Sequence, residues 1–219
     1  MKIITILLAL AVSVNALASE CSHLYPDNKP IVIPGTVELC SSFFVVLYNP
    51  TMKAAILASE VISATASRPT RVGGFMADPR LAENQRATNS DYRRSGYDKG
   101  HVVPAADANT VKQIKETFRL SNTTPQVPSL NRESWRDMEH DIRERVAGTV
   151  DTWVVTGALY DPNPHMIGAN KIPVPSGYYK IAYLSSGTLS FYAANKAEAR
   201  VQKMPVGEIN AVARIGLIK

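Results

Sequence analysis

The sequence predicts an α+β fold in a single globular domain. Two observations carry that expectation. Short aromatic or β-branched runs and helical stretches occur in mixed order, without a regular strand–helix–strand alternation. No glycine-rich phosphate loop accompanies them, which disfavours a doubly wound nucleotide-binding sheet. The chain has 219 residues, 45% hydrophobic and 20% charged, enough for one real core. That composition excludes a disordered chain, a collagen-like repeat and a multi-pass membrane protein. A formal net charge of +5 suggests an anionic partner without naming it.

Residues 1–18 read as a signal peptide. Lys2 gives a positive start, residues 3–14 are nearly all apolar, and Ala16-Leu17-Ala18 offers a small-x-small cleavage site. The apolar run is too short for a spanning helix, which needs roughly twenty residues. Lipoprotein processing is excluded by Glu20, since that site wants a small residue before Cys21. Outside the cytoplasm, Cys21 and Cys40 read as one disulfide that ties down an N-terminal segment, residues 19–42. With only His23 nearby, they make a poor zinc site.

The main domain is expected over residues 43–219. Residues 43–48 suit a strand, and Asn49-Pro50-Thr51 a turn. Residues 52–62 are ambiguous, Ala-rich for a helix yet placed after a hairpin turn. Residues 67–94 turn polar and basic and read as a long surface loop. Helices are expected at 105–118, 131–146 and 206–215, and strands at 152–156, 178–184 and 189–194.

Chemistry concentrates in two segments. In Tyr97-Asp98-Lys99-Gly100-His101-Val102-Val103-Pro104-Ala105, His101 is suited to proton transfer near neutral pH, and Lys99 to holding an anion. Gly100 permits close approach of backbone or ligand. Alone, this segment also suits a structural histidine. On a continuous helix, Asn131, Trp135 and Glu139 fall within an arc of about 80°, with Asn131 and Glu139 roughly 12 Å apart along the axis. That separation suits Asn131 as inner ligand and Glu139 as holder of an ion's water shell. Mg²⁺ fits, because it takes oxygen ligands and sheds water reluctantly. Arg132, Arg136 and Arg143 form a basic stripe beside that face. The same residues also suit a solvated face with a Glu139–Arg143 pair. Oxygen ligands bordered by arginines are what phosphodiester cleavage uses.

Asp98-Lys99-Gly100-His101, followed by Val102-Val103-Pro104-Ala105-Ala106, resembles the Asp-Arg-Gly-His signature of the DNA/RNA non-specific endonucleases, the Serratia nuclease and mitochondrial endonuclease G family. Leu120-Ser121-Asn122-Thr123-Thr124-Pro125-Gln126 is similar to a later segment of that family, and so is Asn131-x3-Trp135-x3-Glu139. Val155-Thr156-Gly157-Ala158-Leu159-Tyr160 and Ile172-Pro173-Val174-Pro175-Ser176 with Tyr179-Lys180 follow in the same order. The resemblance implies a ββα-metal (His-Me finger) nuclease with a central antiparallel sheet flanked by helices. It implies His101 as general base and Asn131 as the direct protein ligand of one Mg²⁺, with Mn²⁺ able to substitute. Glu139 would act through water, Arg71 would contact phosphate and Arg143 would stabilise its charge, while Asp98 and Trp135 support the site. Lys99 stands where the family has arginine, keeping the charge but losing the planar bidentate grip.

The expectation is an exported, Mg²⁺-dependent, sugar-non-specific endonuclease, secreted or periplasmic, that cuts DNA and RNA to 5′-phosphate products. Contacts should fall mainly on phosphates, since no base-reading helix or zinc finger is evident. The competing reading is a catalytically silent nucleic-acid-binding or uptake protein on the same fold, toward which Lys99 leans. A Ser-His-Asp hydrolase would need a nucleophile elbow that the chain lacks. No stable membrane association is expected, and both monomer and homodimer stay open.

Overall fold

The computed structural model describes residues 19–65 and 69–213. The expected signal peptide and the end of the closing helix lie outside the described residues. Strand β1 (Val37–Cys40) pairs antiparallel with β2 (Phe44–Asn49), which turns back into β3 (Ala54–Ile62). Asn49 Oδ1 accepts hydrogen bonds from the Thr51 and Met52 N–H groups. That side-chain turn reverses the chain and resolves the ambiguous residues 52–62 as strand.

Next come α1 (Asn89–Tyr92), β4 (Asp98–His101), α2 (Val111–Thr117), β5 (Thr123–Gln126), α3 (Pro128–Arg132) and α4 (Ser134–Val146). The chain closes with β6 (Thr152–Leu159), β7 (Met166–Ile167), β8 (Ile172–Pro173), β9 (Gly177–Leu184), β10 (Gly187–Ala194), β11 (Gln202–Lys203) and α5 (Val206–Ala213). The main sheet has seven strands, ordered β1-β2-β3-β6-β9-β10-β11, antiparallel throughout.

Strand alternation sends side chains to two cores. On one face, Phe44, Val46 and Ala58 pack with Val102, Val103, Ile114 and Phe118. Beside them, Val154, Tyr178 and Ala182 receive Trp135, Met138, Ile142 and Val146 from α4. On the other face, Leu47, Leu57, Tyr179 and Ile181 meet Ile209 of α5. Side chains this buried, such as Leu57 and Ile142 at 0% exposure, each contribute roughly 1.5–3 kcal/mol. Among the described residues no helix is long and apolar enough to cross a membrane.

Three sequence expectations are corrected. The helix at 131–146 is two helices, broken at Glu133 (φ −119°, ψ −104°). On a straight helix Asn131 would sit in the middle of the apolar stripe of Trp135, Met138, Ile142 and Val146, facing the core. The break lets α3 turn Asn131 away while α4 keeps that stripe buried. The helix at 105–118 is a 3₁₀ turn, Ala105–Asp107, followed by α2, which starts at a Thr110–Gln113 capping box. Over its described residues, 69–94, the expected surface loop includes the short α1 and is not superficial, since Asp78, Leu81, Asp91 and Tyr92 are buried. Asp78 accepts from Arg80 and Ser121, and Asp91 from Thr88 and Asn170, so buried carboxylates anchor it.

Cys21 and Cys40 form a disulfide across 19 residues of sequence. It holds Leu24 and Tyr25 over Val45, with the Tyr25 hydroxyl donating to Glu38. Closing a loop of this length stabilises by about 3 kcal/mol through the unfolded chain. Urea unfolding with and without reductant is expected to differ by that amount, and coincident curves would contradict it.

Candidate active site

The site is built on one ββα unit. β4 pairs antiparallel with β5, Asp98 opposite Gln126 and His101 opposite Thr123, and α3 with α4 follows. A Cβ at Gly100 would overlap the Gln126 side chain, so hairpin packing is what requires glycine there. Beyond His101 the chain is fixed by Asn122, whose Oδ1 accepts from Val103 N–H and whose Nδ2 donates to the Val103 and Thr117 carbonyls.

His101 lies between two phenyl rings, 4.9 Å from Phe75 and edge-on to Phe118 at 5.1 Å. Its Nε2 is buried without a hydrogen-bond partner among the described residues. Burial, with the nearby Arg71 cation second, holds its pKa down at about 3. The ring is therefore neutral and able to accept a proton at physiological pH. Long-range ¹H–¹⁵N spectra are expected to show His101 as one neutral tautomer from about pH 8 to about pH 5. A midpoint near the ordinary histidine value would contradict the enclosure. Arg71 rests on Phe118, 4.9 Å from the ring centre, and the Lys99 ammonium lies 5.1 Å from the Phe75 centre.

On α3, Asn131 Nδ2 donates to Asp98 Oδ2 at 2.9 Å, leaving its carbonyl oxygen as the remaining acceptor. Arg132 Nε donates to the same carboxylate at 2.7 Å. Burial raises the Asp98 pKa, but the hydrogen bonds from Arg132 and Asn131 outweigh it and leave the group below its ordinary value. On α4, the Glu139 side chain is 12% exposed, with Oε1 at 3.3 Å from Lys180 Nζ. Burial pushes its pKa up to about 7, against the pull of Lys180.

The basic stripe is divided. Arg132 and Arg136 are exposed, whereas Arg143 is 7% exposed with Nη1 bonded to Asp107 at 2.9 Å. Arg143 follows Ile142 on the buried side of α4 and meets a buried carboxylate, so the proposed Glu139–Arg143 surface pair does not form; Glu139 pairs with Lys180 instead. Even so, Arg71, Lys99, His101, Asn131, Glu139 and Arg143 all line one cleft of about 930 Å³. Its oxygen donors, the Asn131 amide carbonyl and the Glu139 carboxylate whose Oε1 is turned to Lys180, are of the kind that suits a hard divalent cation. The Cys21, Glu38 and Cys40 grouping is closed to metal by its disulfide.

A model of the DNA/RNA non-specific endonuclease family matches residues 28–217. The chain belongs to that family. It is similar to mitochondrial endonuclease G of Homo sapiens, 32% identical over 193 residues that cover 79% of this chain and 61% of the relative. It is also similar to a nuclease of Syncephalastrum racemosum, 29% identical over 202 residues, 81% of this chain and 62% of that protein. The chain thus spans about 61% of the length of the first of these curated relatives. A chain in the crystal structure of the EndoG/EndoGI complex superposes with a TM-score of 0.73 at 26% identity, covering 81% of this chain and 84% of that one. The α+β, ββα-metal architecture expected of a DNA/RNA non-specific endonuclease is the one observed.

Sequence reasoning missed several residues around the site of this endonuclease-family domain. Phe75 and Phe118 enclose the histidine, and Lys180, Glu60 and Asp107 lie buried near Glu139 and Arg143. A signal existed for two of them. Lys180 and Glu60 are the sole charged residues of β9 and β3.

Proposed function

We propose that the chain is an exported, Mg²⁺-dependent endonuclease that hydrolyses the phosphodiester bonds of DNA and RNA, leaving 5′-phosphates. One observation carries this reading: six residues chosen from the sequence line a single cleft with Arg132 and Arg136 alongside. The family and its nuclease-named relatives support it.

His101, neutral and in the cleft, takes the proton from an attacking water. Arg71 lowers its basicity, and a phosphodiester drawn to Arg71 brings the opposite charge and restores part of it. Arg71 and Lys99 hold the phosphate beside the two phenyl rings. Arg132, paired with Asp98, and Arg136, paired with Asp137, line the same cleft from α3 and α4 and present their remaining N–H groups there. Arg143, with Nη1 committed to Asp107, adds its charge at the α4 wall. Asn131 and, through water, Glu139 would hold Mg²⁺, which when bound supplies electrostatic stabilisation for charge developing on the phosphate and the leaving 3′ oxygen. Export into a periplasm or the medium is supported by the leader-like residues 1–18 and by the disulfide.

The test is incubation of the purified chain with supercoiled plasmid and with RNA, in Mg²⁺ or in EDTA. Both substrates are expected to be degraded in Mg²⁺ and spared in EDTA. Intact substrate in Mg²⁺ would leave the silent binding protein as the reading. Lys99→Arg is expected to keep cleavage within about threefold or raise it, because guanidinium also stacks on the Phe75 and Tyr92 faces and grips phosphate bidentately. A large loss would give the lysine a specific role.

A further inference from the structure

The floor under Glu139 is made by the main sheet rather than by the ββα unit. Glu60 on β3 and Lys180 on β9 belong to the strands on either side of β6. By alternation they share the sheet face of Ala58, Ile62, Tyr178 and Ala182, the face α4 packs against. Both are removed from water, at 0% and 1% exposure. Lys180 Nζ lies 3.3 Å from Glu139 Oε1 and 3.7 Å from Glu60 Oε1, with the Trp135 ring centre at 5.9 Å. Neither Glu60 nor Lys180 lines the cleft; Glu139 does.

A buried lysine between two carboxyl groups, with Asp107 beside Glu60, is poorly explained by packing, because apolar side chains of similar volume fill such a place at less cost. What this arrangement accomplishes is local: Lys180 sits behind Glu139, which, unlike Glu60, lines the cleft. We infer that Lys180, steadied by Glu60, is a positioning residue that fixes the Glu139 carboxylate for its work in the cleft, an inference that rests on the nuclease reading above. Glu60 serves as the counter-anchor, so that Lys180 is held from both sides.

The test is a double-mutant cycle of Lys180→Met and Glu139→Gln in the full chain, assayed on plasmid with Mg²⁺ and by Mn²⁺ binding in electron paramagnetic resonance. Lys180→Met is expected to lower kcat by about 100-fold with KM within about threefold, and to weaken Mn²⁺ binding by about tenfold. The double variant should be no slower than Glu139→Gln alone, within about threefold, because the lysine acts through the glutamate. A folded Lys180→Met with unchanged kcat and Mn²⁺ affinity overturns the inference, and so do losses that multiply in the double variant. Should Lys180→Met fail to fold, Glu60→Leu/Lys180→Met removes both buried polar side chains together and carries the same cycle. An unaltered chain that leaves plasmid intact overturns the nuclease reading instead, while the Mn²⁺ measurement still decides the role of Lys180.

Discussion

Replacing His101 with alanine is expected to lower kcat by about 10³-fold while nucleic-acid binding stays within about threefold. The two effects separate because charge and proton transfer come from different side chains. Arg71, Lys99, Arg132 and Arg136 remain to attract phosphates, whereas His101 is the one histidine lining the cleft. A 10³-fold loss corresponds to about 4 kcal/mol of transition-state stabilisation, within the range of a positioned general base. Thermal unfolding checks that the space left between Phe75 and Phe118 has not collapsed the fold. A folded His101→Ala protein that cleaves at the unaltered rate would assign the base elsewhere.

Asn131→Ala is expected to cost a comparable factor, about 10³-fold in kcat/KM, because an ion held in this cleft contributes several kcal/mol of charge stabilisation. The loss should shrink as Mg²⁺ is raised, since a weakened site refills by mass action. That rescue distinguishes it from His101→Ala, which no concentration of cation should repair. The substitution also frees Asp98 of its Asn131 hydrogen bond but leaves it paired with Arg132, so the hairpin end is expected to stay folded. A Mg²⁺ titration of both variants, read as initial rates on plasmid, separates the two roles. Identical Mg²⁺ curves for the unaltered chain and Asn131→Ala would remove Asn131 from the ion's surroundings.

Much of this site could be read from the chain alone, and the failures have physical causes. Strands that are buried on both faces, such as Phe44–Asn49, declare themselves by unbroken apolar sequence. The cleft residues were legible through the resemblance of their motifs to the endonuclease family, whereas the straight-helix spacing of Asn131 and Glu139 does not survive the break at Glu133. The break at Glu133 was not legible, because 131–146 carries uninterrupted helical periodicity, while the kink goes with the hydrogen bonds of Asn131 and Arg132 to Asp98 on the neighbouring β4. Tertiary contact overrode local pattern there. Buried Asp78 and Asp91 were hidden for a related reason: a carboxylate in an irregular segment looks solvated until its distant partners, Ser121 and Asn170, are known. Lys180 and Glu60 stood out as lone charges in strands, yet sequence has no way to say that they face each other across β6.

The origin of the floor under Glu139 bears on when, during synthesis, the cleft can be assembled. Glu60 comes from the third strand and Lys180 from the ninth, with His101, Asn131 and Glu139 between them in sequence. No ribosome-bound fragment ending before Lys180 contains the whole assembly, and antiparallel pairing of β6 with β9 must finish before the lysine lies in place. A fragment that stops short of β9 therefore carries His101, Asn131 and Glu139 but lacks the lysine behind Glu139, and the floor is complete only when two strands distant in sequence are both in the sheet.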